Sequence, residues 1–214
     1  MDAIVGKDED SKESVKITID RTQRKTFDDF STLIELQDIS IPRKLNGVSL
    51  KAHKGEVLGI VGVSGSGISE VGKVMYGINR DYTGKVIWKG EEISVAAPPH
   101  AVKVGISYLP KDRKDEGILT RFGFIRREIR KNVATDLVNQ VDLLPPNIEQ
   151  SIGSLSGGNQ QKGLIARWLH RHPDLYIMDE PTRGVDVGSK AEIYEIMNNL
   201  AKSGTSIIMI SSDL

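Results

Sequence analysis

The early part of the chain alternates apolar and polar residues in two short segments. "TLIELQDIS" (32–40) and "NGVSLKA" (46–52) place an apolar side chain at about every second position, which is typical of half-buried antiparallel strands. "PRKLNG" between them has the composition of a turn. Two antiparallel strands are therefore predicted ahead of the main core. Residues 1–30 are charged and show only a weak alternation in "SVKITI", so we expect a linker or tethered extension there.

From residue 56 onward, short apolar runs alternate with segments of helical periodicity. The apolar runs predict strands at 56–62, 84–90, 104–110, 174–179 and 205–212. Helical spacing of apolar residues predicts helices at 69–77, 124–141, 157–173 and 189–204. This alternation favours an α/β fold in which helices cover both faces of a parallel sheet. Ligands bind at the carboxyl ends of such strands, so the glycine loop after residue 61, the pair Asp179 and Glu180, and the terminal "SSD" are expected to converge on one site.

The composition excludes several classes of protein. The 29 basic and 29 acidic residues cancel, so no nucleic-acid partner is expected. The chain has no cysteine, which excludes disulfides, thiolate chemistry and cysteine-based zinc sites. We find neither an apolar run of the roughly 18 residues that a membrane span needs nor a signal peptide at the start. A length of 214 residues suits one substantial core with a small appended subdomain.

The first candidate for chemistry is the glycine-rich stretch "GVSGSGIS" (62–69). Its glycines have the spacing of the phosphate-binding loop G-x-x-x-x-G-K-[ST], but Ile68 stands where that motif has lysine. The backbone N–H groups of such a loop still suit an anion, whereas isoleucine supplies no cation. The alternative is an ordinary glycine turn between a strand and a helix. A dinucleotide-binding loop fits worse, because Glu70 takes the place of its third glycine.

The second candidate is the carboxylate pair at the end of "LYIMDE". A hydrophobic strand that delivers Asp179 and Glu180 into a core is unfavourable unless the charges are compensated. A magnesium ion on Asp179 and an attacking water on Glu180 would compensate them. The alternative is a pair of solvated carboxylates at a strand end.

The third candidate is "LSGGNQQK" (155–162), where a helix begins. Ser156, Gly157, Gly158 and Asn159 offer unpaired N–H groups, a hydroxyl and the positive end of the helix dipole. This pattern favours an anion site, and as a bare pattern it also fits a capped helix. The glycine loop upstream and "DEPTRGVD" downstream favour the anion site.

Together these motifs resemble the ATP-binding cassette (ABC) family. "GVSGSGIS" stands at the Walker A position, "LSGGNQQK" at the signature, "LYIMDE" at Walker B and "GVD" (184–186) at the D-loop. The closer resemblance is to the second cassette of the tandem ATPases that import simple sugars such as ribose, galactose and xylose. It is carried by "DEPTRGVDVG", "YLPKDRK" and "ISSDL", and "AIVGKD" (3–8) resembles the linker after the first cassette.

The resemblance implies a particular architecture. The core would be a P-loop NTPase (RecA-like) parallel sheet with an antiparallel β subdomain and a small helical subdomain at about 121–158. The nucleotide-binding domain would span 31–214 and be truncated at the C-terminus. After Thr120 the chain lacks part of a helical stretch that related cassettes have, either because the segment is shortened or because a loop is absent from the sequence.

The resemblance also implies roles for single residues. Glu180 and Ser212 would be catalytic, Ser212 at the position of the switch histidine. Ser69 and Asp179 would hold Mg²⁺, and Lys111 stands on the metal side at the position of the Q-loop glutamine. The positions that contact nucleotide would be Gly62, Ser64, Gly65, Ser66, Gly67, Ile68, Ser69, Ser156, Gly157, Gly158, Asn159, Gln160 and Asp186.

The family implies ATP and Mg²⁺ as cofactors and several partners. ATP would lie between two cassettes, with the phosphate loop of one facing the signature serine of the other. The expected partners are the first cassette of the tandem protein, transmembrane permease subunits and, indirectly, an extracellular sugar-binding protein. The chain would couple ATP hydrolysis to sugar uptake at the cytoplasmic face of the plasma membrane, as a peripheral subunit.

Three departures from the family pattern fall on the chain's own nucleotide pocket. Ile68 replaces a cation, Lys111 replaces the Q-loop glutamine and Ser212 replaces the switch histidine. We therefore expect a weak or silent site at Gly62–Ser69, while Ser156 completes the site of the partner cassette. The alternatives are a non-catalytic structural or regulatory cassette and an ATPase of a nucleoside importer.

Overall fold

The computed structural model describes residues 31–112 and 127–212, with the backbone alone described at 127–130. The predicted linker at 1–30, the stretch that follows Thr120 up to residue 126, and the last two residues lie outside the described residues. The strands are β1 (Thr32–Ile41), β2 (Leu45–His53), β3 (Val57–Val61), β4 (Thr83–Trp88), β5 (Glu91–Ile93), β6 (Ile106–Leu109), β7 (Leu175–Asp179) and β8 (Ser206–Ser211). The helices are α1 (Ile68–Met75), α2 (Pro98–Val104), α3 (Arg127–Gln140), α4 (Gly157–Leu169) and α5 (Val187–Lys202), with a 3-10 turn at Ile152–Ser154.

The first sheet is antiparallel and has the strand order β2-β1-β4-β5. Leu36 of β1 pairs with Leu50 on one side and with Val86 on the other. The two strands predicted at 32–40 and 46–52 are confirmed as the pair β1 and β2. This layer places the turn between β1 and β2 beside the glycine loop.

The second sheet is parallel, with the order β3-β8-β7-β6. Its strands are joined through helices, as the alternation of apolar runs and helical segments predicts. Their carboxyl ends share one edge, since Val61 pairs with Ser211, and Asp179 with Ile210. The glycine loop, the carboxylate pair and Ser212 therefore emerge at the same edge of the sheet.

Two hydrophobic cores cover the two faces of the parallel sheet. Along β7, Leu175 and Ile177 belong to the core beneath α1 and the antiparallel sheet, whereas Tyr176 and Met178 belong to the core under α4 and α5. Every residue of β7 is buried, which is why its sequence is continuously apolar rather than alternating. The predicted two-sided coverage of the sheet is confirmed.

Three short elements were not predicted from the sequence: β5, α2 and the 3-10 turn at Ile152–Ser154. Strand β5 has only three residues, and α2 begins with Pro98 and Pro99, residues that also signal loops. Helix α2 ends at Gly105, whose positive φ of 98° suits a residue without a side chain.

Across the part of the chain that the structure describes, no helix combines the length and apolar character needed to cross a bilayer.

Candidate active site

The glycine loop connects β3 to α1 and borders a cavity of about 240 Å³. Gly67 precedes α1 with a φ of 91°, and a Cβ at this position would run into the backbone carbonyl of Lys44. A glycine is therefore required by conformation and by close packing. The residues that line the cavity are Lys44, Ser64, Gly65, Gly67, Ile68, Ser69, Glu70, Lys111 and Glu180.

Ser69 and Tyr108 hold the buried carboxylate of Asp179 from two sides. Ser69 Oγ donates to Asp179 Oδ1 and Tyr108 Oη donates to Asp179 Oδ2, each over 2.9 Å. Asp179 is 1% exposed. Burial raises its pKa above the ordinary value, although the hydrogen bonds from Tyr108 and Ser69 and the charge of Lys111 act in the opposite direction. The folded chain thus holds a desolvated carboxylate that an added cation would stabilise.

Glu180 lies beside Asp179 and is held in an unusual backbone conformation. Its φ of 53° is in the left-handed region, which is uncommon for a residue with a side chain and which occurs often at functional sites. The backbone N–H of Ser212 donates to Glu180 Oε1 over 2.9 Å, and Lys111 Nζ lies 3.9 Å from the same oxygen. Three predicted site residues, Glu180, Lys111 and Ser212, are therefore brought together, with Ser212 acting through its backbone.

The oxygen atoms at this edge fit a magnesium ion. Mg²⁺ is bound in nucleotide sites by one or two protein oxygen ligands, with phosphates and waters completing the shell. Ser69 Oγ and Asp179 Oδ1 supply such oxygens next to each other. Within residues 31–112 and 127–212, no cluster of three or more His, Asp or Glu residues forms a closed metal site. The ammonium group of Lys111 has no lone pair to offer, so this residue does not fit the metal-side role that its position implies.

Ile68 occupies the lysine position without supplying a charge. Its side chain is half buried and packs against the core beneath α1. A Cβ on Gly62 would lie 2.9 Å from Ile68 Cγ2 and 2.9 Å from Ser66 Oγ, so this glycine allows the loop to close over both side chains. The loop geometry is present while its usual cation is missing.

The residues of "LSGGNQQK" form a second group that does not line this cavity as the structure describes it. Ser156 is exposed and caps α4, because its Oγ accepts from the Asn159 backbone N–H at 3.4 Å and from Asn159 Nδ2 at 3.1 Å. Gln160 donates its side-chain amide to the Leu155 carbonyl over 2.8 Å. The predicted start of a helix at this motif is confirmed, and its predicted contact with a nucleotide stays a prediction.

The start of α5 packs against this second group. Asp186 caps α5 by accepting from Ser189 N at 3.0 Å and from Ser189 Oγ at 2.8 Å. These hydrogen bonds, led by the one from the Ser189 backbone, lower the pKa of Asp186. A Cβ on Gly158 would collide with the side chain of Ser189. Asp186, at the predicted D-loop position, therefore lies beside "LSGGNQQK" and is not among the residues that line the cavity.

Three residues near the cavity were missed at the level of sequence. Lys44 and Glu70 form an ion pair over 3.2 Å at the cavity wall, and Tyr108 binds Asp179. Lys44 lies in a turn of ordinary composition. Tyr108 lies in a strand, where an aromatic residue is common and does not indicate a functional role. No local signal in the sequence distinguishes either residue.

Comparison with known proteins shows one consistent likeness. A family model described as "ABC transporter" matches residues 45–183. A ribose import ATP-binding protein of Mesorhizobium japonicum is 38% identical over 208 residues, which cover 89% of this chain and 41% of that protein. A ribose import ATP-binding protein of Streptococcus agalactiae is 40% identical over 184 residues, covering 78% and 37%. The chain thus spans about two fifths of the length of these relatives.

Solved structures show the same fold. A nucleotide-free ATP-binding cassette from an ABC transporter superposes with a TM-score of 0.75 at 22% identity, covering 86% of this chain and 82% of that one. A dimeric ATP-binding cassette bound to ADP and phosphate superposes with a TM-score of 0.70 at 20% identity, covering 85% and 88%. The predicted fold class, a parallel P-loop core joined to an antiparallel sheet, is confirmed.

Proposed function

Because the chain belongs to the ABC transporter family, we propose that it is an ATP-binding subunit of a carbohydrate importer that hydrolyses ATP to drive sugar uptake. More narrowly, it corresponds to the second cassette of a tandem ATPase. The sugar assignment is supported by the relatives whose names describe ribose import. The relation to a tandem protein is supported by the chain's matching about two fifths of the length of those relatives.

One observation carries the nucleotide assignment: the glycine loop, Ser69 and Glu180 line a single cavity, with Asp179 bonded directly to Ser69. ATP would place its phosphates against the backbone N–H groups of Gly62–Ser69. Ser69 and Asp179 would hold Mg²⁺, which neutralises charge on the phosphates when bound. Glu180 would orient the attacking water and accept its proton as the bond to the leaving ADP breaks. Ser212 would keep the Glu180 carboxylate in place through its backbone N–H.

The separation of the two groups of residues supports a shared site. Ser156 and Asp186 stand at the starts of α4 and α5, and neither is among the residues that line the cavity. We propose that Ser156, Gly157, Gly158, Asn159 and Gln160 face the triphosphate of a partner cassette, the first half of the tandem protein. Permease subunits and, indirectly, an extracellular sugar-binding protein would complete the importer. The chain would then work as a peripheral subunit at the cytoplasmic face of the membrane.

The donor role of Ser156 is tested with two variants that keep its helix cap. Aspartate and asparagine cap helices about as well as serine does, so Ser156→Asp and Ser156→Asn should unfold at nearly the wild-type temperature. Only aspartate sets a negative charge against the phosphates of the partner site, which is unfavourable by several kcal/mol when the charges are close. ATP turnover of the assembly with the partner cassette should fall by about tenfold or more in Ser156→Asp.

Ser156→Asn is the matched neutral variant, and its turnover should stay much closer to the wild type. Phosphate release would be measured for this chain alone and together with the partner cassette. Equal turnover of the wild type and Ser156→Asp in the assembly would contradict the donor role. A complete lack of stimulation by any partner cassette would contradict the shared site.

A further inference from the structure

The cavity of the glycine loop lacks a cation within the loop but has two lysines in its wall. Ile68 packs into the core and leaves the phosphate position without charge. Lys44 enters from the turn between β1 and β2, and Lys111 enters from the end of β6. Both ammonium groups are candidates for the missing cation, and their surroundings differ.

Lys44 is already paired with the carboxylate of Glu70, which other donors also contact. Its Nζ lies 3.2 Å from Glu70 Oε1, which also lies 3.4 Å from Lys73 Nζ. Asn79 donates to the other oxygen of Glu70 over 2.8 Å. Burial raises the pKa of Glu70, but the hydrogen bonds from Asn79 and Lys44 and the charges of Lys73 and Lys44 outweigh it, so the net shift is downward. Lys44 therefore helps to neutralise a charge on α1, and its backbone carbonyl packs closely against Gly67.

Lys111 also lines the cavity, next to the carboxylates of Asp179 and Glu180. Its Nζ lies 3.9 Å from Glu180 Oε1, a distance longer than a hydrogen bond between an ammonium group and a carboxylate. The same oxygen already accepts from the backbone N–H of Ser212. The side chain of Lys111 is 32% exposed, and a flexible four-carbon stem carries its charge. A stronger anion in the cavity can therefore draw the ammonium group away from Glu180.

We propose that Lys111 supplies the cation for the terminal phosphate of bound ATP that residue 68 does not supply. This inference rests on the proposed nucleotide site. Because Lys111 lies beside Glu180, its charge acts at the end of the triphosphate where the water attacks. The lysine of an ordinary phosphate loop instead reaches the phosphates from the start of the helix. Release of Glu180 from the lysine also leaves this carboxylate available to accept a proton.

The position of Lys111 predicts discrimination between ATP and ADP. ADP has no phosphate at the end of the cavity that Glu180 and Lys111 share, so it gains little from this lysine. In Lys111→Gln, the affinity for Mg·ATP should fall about tenfold or more, as expected for loss of a hydrogen bond between two charged groups. The affinity for Mg·ADP should fall less than about threefold. Lys111→Arg keeps the charge and should stay within about threefold of the wild type for both nucleotides.

The experiment measures the dissociation constants of ATP and ADP by calorimetry on the 214-residue chain, with thermal unfolding as the check on folding. Lys51→Gln is the matched control, since Lys51 is a lysine of β2 that pairs with Glu35 over 3.3 Å and lies outside the cavity lining. Lys44→Gln is the competing variant. The double variant Ile68→Lys with Lys111→Gln, which returns the charge to the loop, should bind ATP at least as tightly as the wild type.

The outcomes separate this inference from the function on which it rests. The inference is wrong if Lys111→Gln binds ATP as tightly as the wild type, or if its affinities for ATP and ADP fall by the same factor. It is also wrong if Lys44→Gln shows the same selective loss of affinity for ATP. In each of these cases the nucleotide site stands. If the wild-type chain binds neither nucleotide, the proposed nucleotide site at Gly62–Ser69 is contradicted and the inference falls with it, whereas the donor role of Ser156 is tested separately by its own variants.

Discussion

At the scale of single residues, Ile68→Lys tests how far a missing charge limits the glycine loop. The substitution is expected to tighten binding of both ATP and ADP by about tenfold or more, because a hydrogen bond between charged groups is worth about 1.5–3 kcal/mol and about 1.4 kcal/mol is a factor of ten. Calorimetric titration measures the change. Ile68→Met is the control, since methionine keeps the apolar packing against the core beneath α1 without adding charge. Unchanged affinity in Ile68→Lys would show that the missing cation does not limit binding.

A second prediction at this scale concerns the stability of the Asp179→Asn variant, and the sign of the change follows from the raised pKa of Asp179. A carboxyl group whose pKa rises from 3.8 on folding binds a proton more tightly in the folded state, so its contribution to stability falls as the pH rises above that value. In EDTA and without nucleotide, Asp179→Asn should therefore unfold at a higher temperature than the wild type at pH 7. A gain of about 1 kcal/mol corresponds to about 2–4 °C for a chain of this size. The difference should shrink as the pH approaches 3.8.

The same variant should lose the stabilisation that Mg·ATP gives to the wild type, because one proposed oxygen ligand carries no charge. Asp186→Asn is the matched control. Its carboxylate is exposed and its pKa is lowered by the hydrogen bonds from Ser189, so its removal should leave stability unchanged or reduce it slightly. A lower unfolding temperature for Asp179→Asn at pH 7 in EDTA would contradict the account of a desolvated charge.

At the scale of elements, the contact of α1 with the parallel sheet depends on Gly72. A Cβ on this residue would lie 2.8 Å from Ile210 Cδ1 and 3.1 Å from Tyr108 and Ile177. Gly72→Ala should destabilise the fold by about 1–3 kcal/mol through overpacking, even though alanine favours helix. Ile210→Val removes the nearest methyl group, so the double variant should recover part of the loss. Urea unfolding of the four proteins of this cycle measures the coupling, and strict additivity would contradict the direct contact.

The elements also show what the sequence could predict. Strands β1, β3, β7 and β8 were predictable because each carries a period or an unbroken apolar run. The site residues Ser69, Asp179 and Glu180 were predictable because they end or begin such elements at one edge of the sheet. Helix α2 was not predicted because it begins with two prolines, which are also typical of loops. Lys44 reaches the cavity through tertiary packing of a turn, and no local spacing encodes that packing. Lys111 was predicted only from its place in the family resemblance, and its position 3.9 Å from Glu180 required the structure.

At the scale of the whole molecule, the proposed functional residues divide into two groups with different surroundings. The cavity group combines a desolvated carboxylate, a left-handed glutamate and a flexible lysine. The group at α4 and α5 is exposed at Ser156 and Asp186 and is fixed by helix caps. Two such half-sites on one cassette are consistent with the proposed exchange of contacts between partners.

The pairing of β3 with β8 has a consequence for how this protein is made. Within the described residues, β3 has no strand neighbour other than β8, and Gly62 N donates to the Ser211 carbonyl. Residues 62–205 separate β3 from β8, so a ribosome must add this whole stretch before the strand that precedes the glycine loop can pair. Contacts this distant in sequence form slowly, because the entropy cost of closing a long loop comes before the contacts lower the free energy. Until β8 has been made, the edge of β3 that pairs with it is open, and unpaired strand edges favour aggregation during folding.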